Sequence, residues 1–325
     1  MLAPVLETEM KQLVVVAIGG NSIVKDNQSQ SVAHQAEAVK QVADTVLEML
    51  GNNIDVVLTH GNGPQVGLDL RRAELAHQHE GLPLTPLANC VADTQGGIGY
   101  LIQQALNNRL QTLNGKKAVT VVTQVEVDAE DAGFITPTKP IGAFFTAEER
   151  DALLEANPDW HFIEDAGRGF RRVVASPQPQ RIVEADAIKA LAQQGFVVIG
   201  VGGGGIPVLR AANGDYRSID AVIDKDLSTA LLAEEIKADV LVITTGVEKV
   251  CVHFGKPEQQ ALGEVTASEM QRYSQEGHFP PGSMLPKIEA SLAFLRQGGK
   301  RVIITTPECL PAALRGETGT HIVMG

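Results

Sequence analysis

The sequence lacks closely spaced cysteines, long apolar runs and blocks of like charge, and each absence excludes a class of protein. Its three cysteines are far apart and form no C-x-x-C pair, which argues against a disulfide framework and against a zinc knuckle. The first residues do not resemble a secretory signal, and no run reaches the roughly 18 apolar residues of a membrane span. We therefore expect a cytoplasmic protein.

Basic clusters large enough to bind a polyanion are also absent. The formal net charge is −12, and no run of like charges interrupts the sequence. Neither a nucleic-acid surface nor an anionic membrane surface is therefore indicated. An anionic substrate would need a local cationic site. With 325 residues, of which 44% are hydrophobic, the chain can bury a sizeable core.

Six apolar runs of strand length alternate with helical patterns. Continuous Val/Ile runs are typical of strands that are buried on both faces of a mostly parallel sheet. Between the first two runs, apolar residues recur at helical spacing from Val32 to Met49, and Gly51 follows as a helix-ending residue. We predict an α/β fold built from βαβ units. The runs are "LVVVAI" (13–18), "DVVLTH" (55–60), "AVTVVTQV" (118–125), "FVVIGV" (196–201), "DVLVITT" (239–245) and "RVIITT" (301–306).

Residues 126–180 interrupt this alternation. They are rich in proline, glycine and charge and show short strands rather than a long helix. Because long irregular insertions in compact domains are often functional, we interpret them as a lid or subdomain that protrudes over the site. Residues 1–10 precede the first strand and are predicted to be a disordered lead, while residues 11–325 form a single domain.

Four glycine-bearing turns follow strand runs. In an open parallel sheet the ligand crevice lies beyond the carboxyl ends of the strands, where such turns expose backbone N–H groups to an anion. Asn21 and Asn62 add uncharged amide donors. We predict that a phosphoryl group binds there. The turns are "GGNS" (19–22), "HGNGPQVG" (60–67), "GVGGGGIP" (200–207) and "TTGVEKV" (244–250).

The third turn formally satisfies the dinucleotide pattern G-x-G-x-x-G through Gly200, Gly202 and Gly205. That pattern must open a helix, yet Pro207 follows and the next residues resemble a hairpin with an Asn-Gly turn. A dehydrogenase is therefore disfavoured. No G-x-x-x-x-G-K-[ST] occurs either, so a Walker loop would not be the means of binding ATP.

Three lysines stand at positions where a cation can be held in place. Lys139 lies between prolines, Lys225 lies between Asp224 and Asp226, and Lys287 lies where a helix begins. Phosphoryl transfer needs mainly positioning and charge stabilisation, which lysines and backbone amides supply. Asp226 could orient the lysines, approach Mg²⁺ or cap a helix.

Other chemistry-bearing residues give weaker signals. The basic cluster of Arg168, Arg171 and Arg172 either contacts substrate or forms surface salt bridges. His77 and His79 lie two apart on a predicted helix and so on different faces, and we expect no metal site from the histidines. Cys90 has no activating neighbour in the sequence and is expected to be a buried apolar residue.

These turns and lysines together resemble the carbamate kinases of the amino acid kinase family. The resemblance covers nearly all of the chain from residue 11. It implies a three-layer α/β/α sandwich with a small protruding subdomain, and a homodimer. The stretches that carry it are "AIGGNSI", "THGNGPQVG", "VADTQGGIGY", "PTKPIG", "EDAGRGFRRVVASPQP", "GGGGIPV", "AVIDKDLS", "TTGVEKVC" and "GHFPPGSMLPKIEA".

The same resemblance implies reversible phosphoryl transfer between ATP and carbamate, often in the direction of ATP formation, with Mg²⁺ carried by the nucleotide. Two alternatives remain open: a kinase of another small carboxylate or acylated amino acid, and a nucleotide-binding regulator without catalysis. The residues with implied roles are Gly19, Gly20 and Asn21 at the phosphoryl group; Gly61, Asn62 and Gly63 near carbamate; Lys139, Lys225, Asp226 and Lys287 in catalysis; and Thr245, Gly246, Val247, Ser283 and Met284 on the nucleotide side.

Overall fold

The computed structural model describes residues 11–23, 31–50, 54–111, 116–165, 167–281 and 283–325, with the backbone alone at residues 21 and 22. The predicted disordered lead at residues 1–10 lies outside the described residues. Within that part of the chain, every helix is too short or too polar to span a bilayer.

The described strands fall into one large sheet and three smaller ones. The large sheet has the strand order β15-β17-β16-β12-β1-β2-β9-β3, and all of its pairs are parallel except β16 with β17. The strands are β1 (Gln12–Ile18), β2 (Ile54–His60), β3 (Ala118–Thr120), β4 (Gln124–Val127), β5 (Lys139–Phe145), β6 (His161–Glu164), β7 (Phe170–Val174), β8 (Pro179–Ile182), β9 (Val197–Ile199), β10 (Ile206–Arg210), β11 (Tyr216–Ser218), β12 (Val240–Thr244), β13 (Cys251–Val252), β14 (Gln260–Ala261), β15 (Glu264–Thr266), β16 (Arg301–Thr305) and β17 (Thr320–Val323).

Helices cover both faces of the large sheet. Because side chains alternate along a strand, Val14 and Val16 of β1 join one apolar core while Val15 and Ala17 join the other. Helices α2, α4 and α10 pack on the first face and α6 to α9 on the second, which gives the three layers of the predicted fold class. The helices are α1 (Gly20–Ile23), α2 (Val32–Leu50), α3 (Gly63–Glu80), α4 (Leu87–Leu110), α5 (Ala147–Ala156), α6 (Ala185–Gln193), α7 (Lys225–Glu235), α8 (Ala267–Gln275), α9 (Leu285–Arg296) and α10 (Leu310–Leu314).

A three-stranded antiparallel sheet in the order β5-β7-β6, with α5 between β5 and β6, lies within the interrupted region. It packs closely on α3: a Cβ added at Gly67 would lie 2.1 Å from the nitrogen of Gly142 in β5. Glycine at position 67 therefore allows the small sheet to approach the rest of the chain. The boundary of the subdomain at residues 126–180, and its role as a lid, stay predictions.

One predicted strand is divided. The run at 118–125 is split between β3 in the large sheet and β4 in the sheet ordered β11-β10-β4-β8. Between them, Gln95 of α4 accepts a hydrogen bond from the backbone nitrogen of Thr123 at 2.9 Å and donates one to its carbonyl at 3.0 Å. This side-chain amide replaces a neighbouring strand, so the chain can leave the large sheet without losing backbone hydrogen bonds.

Candidate active site

The four predicted turns lie side by side at one end of the large sheet. They follow β12, β1, β2 and β9, which are successive neighbours in the sheet. A cavity of about 710 Å³ opens at these carboxyl ends and is closed on one side by residues of the three-stranded sheet. This is the crevice expected for a ligand in an open α/β sheet. The turns contribute Gly19, Gly20, Gly61, Asn62, Gly63, Gly203, Thr244, Thr245 and Gly246 to its wall.

Two of the glycines are required because the turns pack on one another. A Cβ at Gly61 would lie 3.0 Å from the backbone nitrogen of Gly20. At Gly203, whose φ is +66°, a Cβ would lie 2.2 Å from Nδ2 of Asn62. Nδ2 of Asn62 also donates to Oγ1 of Thr94 at 2.9 Å. The side chain of Asn62 thus bonds the second turn to α4 and packs against the third turn, and its contact with substrate stays a prediction.

The three predicted lysines all line this cavity. Lys225 donates to Oδ1 of Asp226, and Lys287 donates to Oδ2 of the same carboxylate at 2.7 Å. Lys139 reaches in from β5 and donates to Oδ2 of Asp224 at 2.7 Å. Residues that are distant in the sequence therefore form one cluster in which three ammonium groups meet two carboxylates.

The start of α7 positions half of this cluster. Asp224 is the N-cap residue, and its Oδ1 accepts hydrogen bonds from the backbone nitrogens of Asp226 and Leu227 at 2.9 and 3.3 Å. Lys225 is the first residue of the helix, so its side chain and that of Asp226 leave from a fixed backbone. Lys287 occupies the first turn of α9 after Pro286, a residue that favours the start of a helix.

Burial and charge pairing set the protonation states of the cluster. Burial alone would raise the pKa of the Asp226 carboxyl, but Lys225 and Lys287 outweigh it and hold that pKa well below its usual value. Burial also opposes the charge of Lys287, yet Asp226 raises its pKa. For Lys225, burial dominates and lowers the pKa, although Asp226 opposes the shift. The carboxylate is thus ionised at neutral pH and supports the lysine charges.

His60 ends β2 beneath the second turn and has no exposed surface. Its Nδ1 lies 3.1 Å from the carbonyl oxygen of Gly61 and must donate, since a carbonyl oxygen only accepts. Burial lowers the pKa of the ring to about 4. His60 is therefore neutral at pH 7 and orients the carbonyl of Gly61. His77 and His79 lie at the other end of α3.

The structure separates the three arginines. Arg171 and Arg168 lie in the cavity wall, where both donate to Asp165 at 3.1 Å. Arg172 instead donates to Glu74 of α3 at 2.7 Å and stacks on Trp160, with 3.6 Å between the guanidinium carbon and the ring centroid. The first two face the cavity and the third joins the small sheet to α3.

The nucleotide-side residues are only partly brought together. Thr245, Gly246 and Ser283 line the cavity, whereas Val247 and Met284 are not in its described wall. Met284 packs against the apolar core instead. The backbone of Asn21 lies in α1, and its side chain is outside the described part of the chain. Cys90 is buried, and burial raises the pKa of its thiol to about 11.

No individual role is predicted from the sequence for several wall residues, although one of them, Thr244, lies in the predicted turn at 244–250. Thr244 joins two turns, since its Oγ1 accepts from the nitrogen of Gly19 at 3.1 Å and donates to the carbonyl of Ala17 at 2.9 Å. Its position at the end of a buried strand is the one signal that could have identified it. Asp224 could have been found as the cap of a helix that begins with a lysine. The remaining wall residues include Ala38, Gln41, Val42 and Thr45 of α2 and the segment 306–308.

Comparisons with known proteins agree on one family. The profile of the amino acid kinase family matches residues 12–306. The carbamate kinase-like protein YahI of Escherichia coli K12 is 80% identical, over 97% of this chain and 99% of its own length. The carbamate kinase of Clostridium perfringens is 48% identical, over 95% and 99%. The structure of Giardia lamblia carbamate kinase bound to citric acid is 40% identical, covers 97% of this chain and 99% of its own, and superposes with a TM-score of 0.91. The chain belongs to the amino acid kinase family, among the carbamate kinases and carbamate kinase-like proteins.

Proposed function

We propose that the protein is a carbamate kinase, which transfers a phosphoryl group between ATP and carbamate. The observation that carries the proposal is the convergence of Lys139, Lys225 and Lys287 on one cavity whose wall is made of glycine-bearing turns. The Giardia lamblia relative has been solved with AMP-PNP, a close analogue of ATP. Such a site suits a reaction in which negative charge spreads over a migrating phosphoryl group.

In this proposal an oxygen of carbamate attacks the γ-phosphorus in line. A new O–P bond forms while the bond to the β,γ-bridging oxygen breaks, and ADP leaves. No general base is required, because carbamate is already an anion. Lys225 and Lys287, both held by Asp226, neutralise the charge that develops on the phosphoryl oxygens, and Lys139 approaches from the small sheet. The backbone amide of Gly20 completes the cradle, while that of Gly19 is held by Thr244.

Nucleotide kinases commonly require Mg²⁺, which is bound through phosphate oxygens and water more than through protein cages. Both oxygens of Asp226 bond to lysines, and Oδ1 of Asp224 caps α7 while its Oδ2 bonds Lys139. A cation beside these ammonium groups would be repelled. These two carboxylates do not fit a magnesium site on the protein, so we propose that any Mg²⁺ arrives with the nucleotide.

The direction of the reaction, its setting and the assembly complete the proposal. Carbamoyl phosphate is an acyl phosphate and therefore a strong phosphoryl donor, so we propose that the protein makes ATP from it, as in the breakdown of arginine. We also propose a cytoplasmic homodimer, on the strength of family resemblance.

A coupled assay of ATP formation from carbamoyl phosphate and ADP tests the proposal. We expect turnover that depends on both substrates and on Mg²⁺. The matched variants are Lys287→Ala, which should be nearly inactive, and Lys256→Ala, an exposed lysine that should behave as wild type. Turnover with acetyl phosphate or acetylglutamyl phosphate but not with carbamoyl phosphate would favour a kinase of another carboxylate. Nucleotide binding without any turnover would favour a regulator.

A further inference from the structure

One guanidinium in the cavity wall leaves two of its three nitrogens without hydrogen-bond partners in the described part of the chain. Arg171 lies on β7 and is 8% exposed. Its Nη1 donates to Oδ2 of Asp165 at 3.1 Å, whereas its Nε and Nη2 are buried and bond to no group in the described residues. Buried N–H donors are almost always satisfied in native proteins, because an unpaired donor is costly. Two such donors on a residue of the cavity wall therefore indicate a ligand.

The two unpaired nitrogens form a defined recognition edge. Nε and Nη2 each direct one N–H bond from the same edge of the planar guanidinium, and the two parallel bonds match the two oxygens of a planar carboxylate. Asp165 binds the opposite side of the group, and the ring of Phe144 lies 5.2 Å from the guanidinium carbon. The orientation of the edge is thus fixed before any ligand binds.

The edge faces the start of α3, where the second glycine turn lies. The position that a Cβ would take on Gly63 is 3.6 Å from Nη2 of Arg171 and 3.4 Å from the carbonyl oxygen of Pro140. Glycine at position 63 therefore leaves space beside the edge. The lysines of the cluster, in contrast, bond to Asp224 and Asp226. The cavity thus holds a second kind of anion-binding group besides the lysine cluster.

We propose that the Nε–Nη2 edge of Arg171 binds the carboxylate of the small acceptor and selects a planar two-oxygen anion. This inference rests on the proposed function and assigns the acceptor side of the same cavity. In the direction of ATP formation, the same edge binds the carbonyl oxygen of carbamoyl phosphate and the oxygen that bridges its carbon to phosphorus. Asp165 is a positioning residue, since it acts through the guanidinium. The lysine cluster is left for the phosphoryl group.

The first test is Arg171→Lys, which keeps the charge and removes the edge, with Arg172→Lys as the matched control outside the cavity. We expect the KM for carbamoyl phosphate to rise about 10- to 100-fold in Arg171→Lys while the KM for ADP stays within about twofold. Arg172→Lys should leave both constants unchanged. A KM for carbamoyl phosphate within about twofold of wild type, or equal rises in both constants, would overturn the assignment.

The second test uses the wild-type protein and so does not depend on how a variant folds. Acetate presents two coplanar oxygens, whereas urea is neutral and presents mostly N–H groups. Acetate should compete with carbamoyl phosphate, and urea at the same concentration should not. Equal inhibition by both compounds, or by neither, would contradict the proposal. If the wild type makes no ATP from carbamoyl phosphate, the proposed function fails, and calorimetric binding of acetate in the presence of ADP to wild type and Arg171→Lys still tests the edge.

Discussion

Asp226 is the shared acceptor of two ammonium groups, so Asp226→Asn removes a charge while keeping the shape of the side chain. Lys287 donates to Oδ2 at 2.7 Å and Lys225 donates to Oδ1. The carboxylate side chain is 4% exposed. In asparagine one of the two oxygens becomes an NH₂ group, which cannot accept a hydrogen bond. One lysine therefore loses its partner, and both lose the neighbouring negative charge.

The size of the effect follows from this burial. Removing one member of a buried ion pair costs about 3–5 kcal/mol, and since the lysines keep some exposure we expect about 3 kcal/mol of unfolding free energy. A domain with roughly 5–15 kcal/mol of stability survives that loss. Lysines that are no longer aimed at the phosphoryl group should lower kcat by a factor of about 10²–10³.

The variant should also change the pH dependence of activity. Burial already lowers the pKa of Lys225, and Asp226 is the main group that opposes this shift. Without the carboxylate the pKa falls further, so Lys225 loses its proton at a lower pH than in the wild type. The residual activity should therefore decline sooner as the pH rises.

The measurements are ATP formation from carbamoyl phosphate across a range of pH, and urea unfolding. Asp239→Asn is the matched control, because Asp239 is also paired with a lysine, Lys300 at 2.6 Å, but lies outside the cavity wall. The control should lose some stability and keep its activity. A folded Asp226→Asn protein with a kcat within about threefold of wild type would refute the reasoning.

Three further predictions rest on separate contacts. Lys287→Ala should lower kcat at least about 100-fold and change the KM for ADP less than about threefold, as initial rates would measure. His60→Asn keeps a donor for the Gly61 carbonyl but cannot titrate. Because the ring pKa is lowered from 6.5 to about 4, the wild type loses about 3 kcal/mol of unfolding free energy as the pH falls through this window. The variant should not show this loss when urea unfolding at pH 7 is compared with urea unfolding at pH 4.5. Gly203→Ala should lose about 2 kcal/mol or more by thermal unfolding, since its Cβ meets Asn62.

The large sheet could be predicted where its strands are long and buried. The runs that became β1, β2, β9, β12 and β16 are continuous Val/Ile segments, which have few other interpretations. The short strands β15 and β17 could not be predicted, because three or four residues give too little pattern. The break between β3 and β4 depends on Gln95, a residue of another element whose amide reaches the chain only in the folded protein.

The residues of the candidate site also fall into a part that could be predicted from the sequence and a part that could not. The place of the lysines and glycine turns at one cavity could be predicted, because each lies beside a strand or helix end, a feature that local sequence shows. The arginines could not, since the partner decides their role. Arg171 and Arg172 are neighbours on one strand, yet alternation sends one to the cavity and the other to Glu74 of α3. Nothing in the local sequence distinguishes the two.

The pairing of Lys139 with Asp224 joins the small sheet to the lysine cluster through one carboxylate. One oxygen of Asp224 caps α7 and the other accepts from Lys139, a residue 85 positions away in the sequence. Burial alone would raise the pKa of this carboxyl, but Lys139 outweighs it and holds the pKa below its usual value. A change in the position of the small sheet would therefore alter the charge balance at the start of α7, where Lys225 lies. If Lys139 binds the phosphoryl group as we propose, that group competes with Asp224 for the same ammonium, and we expect substrate binding to depend on the placement of the small sheet.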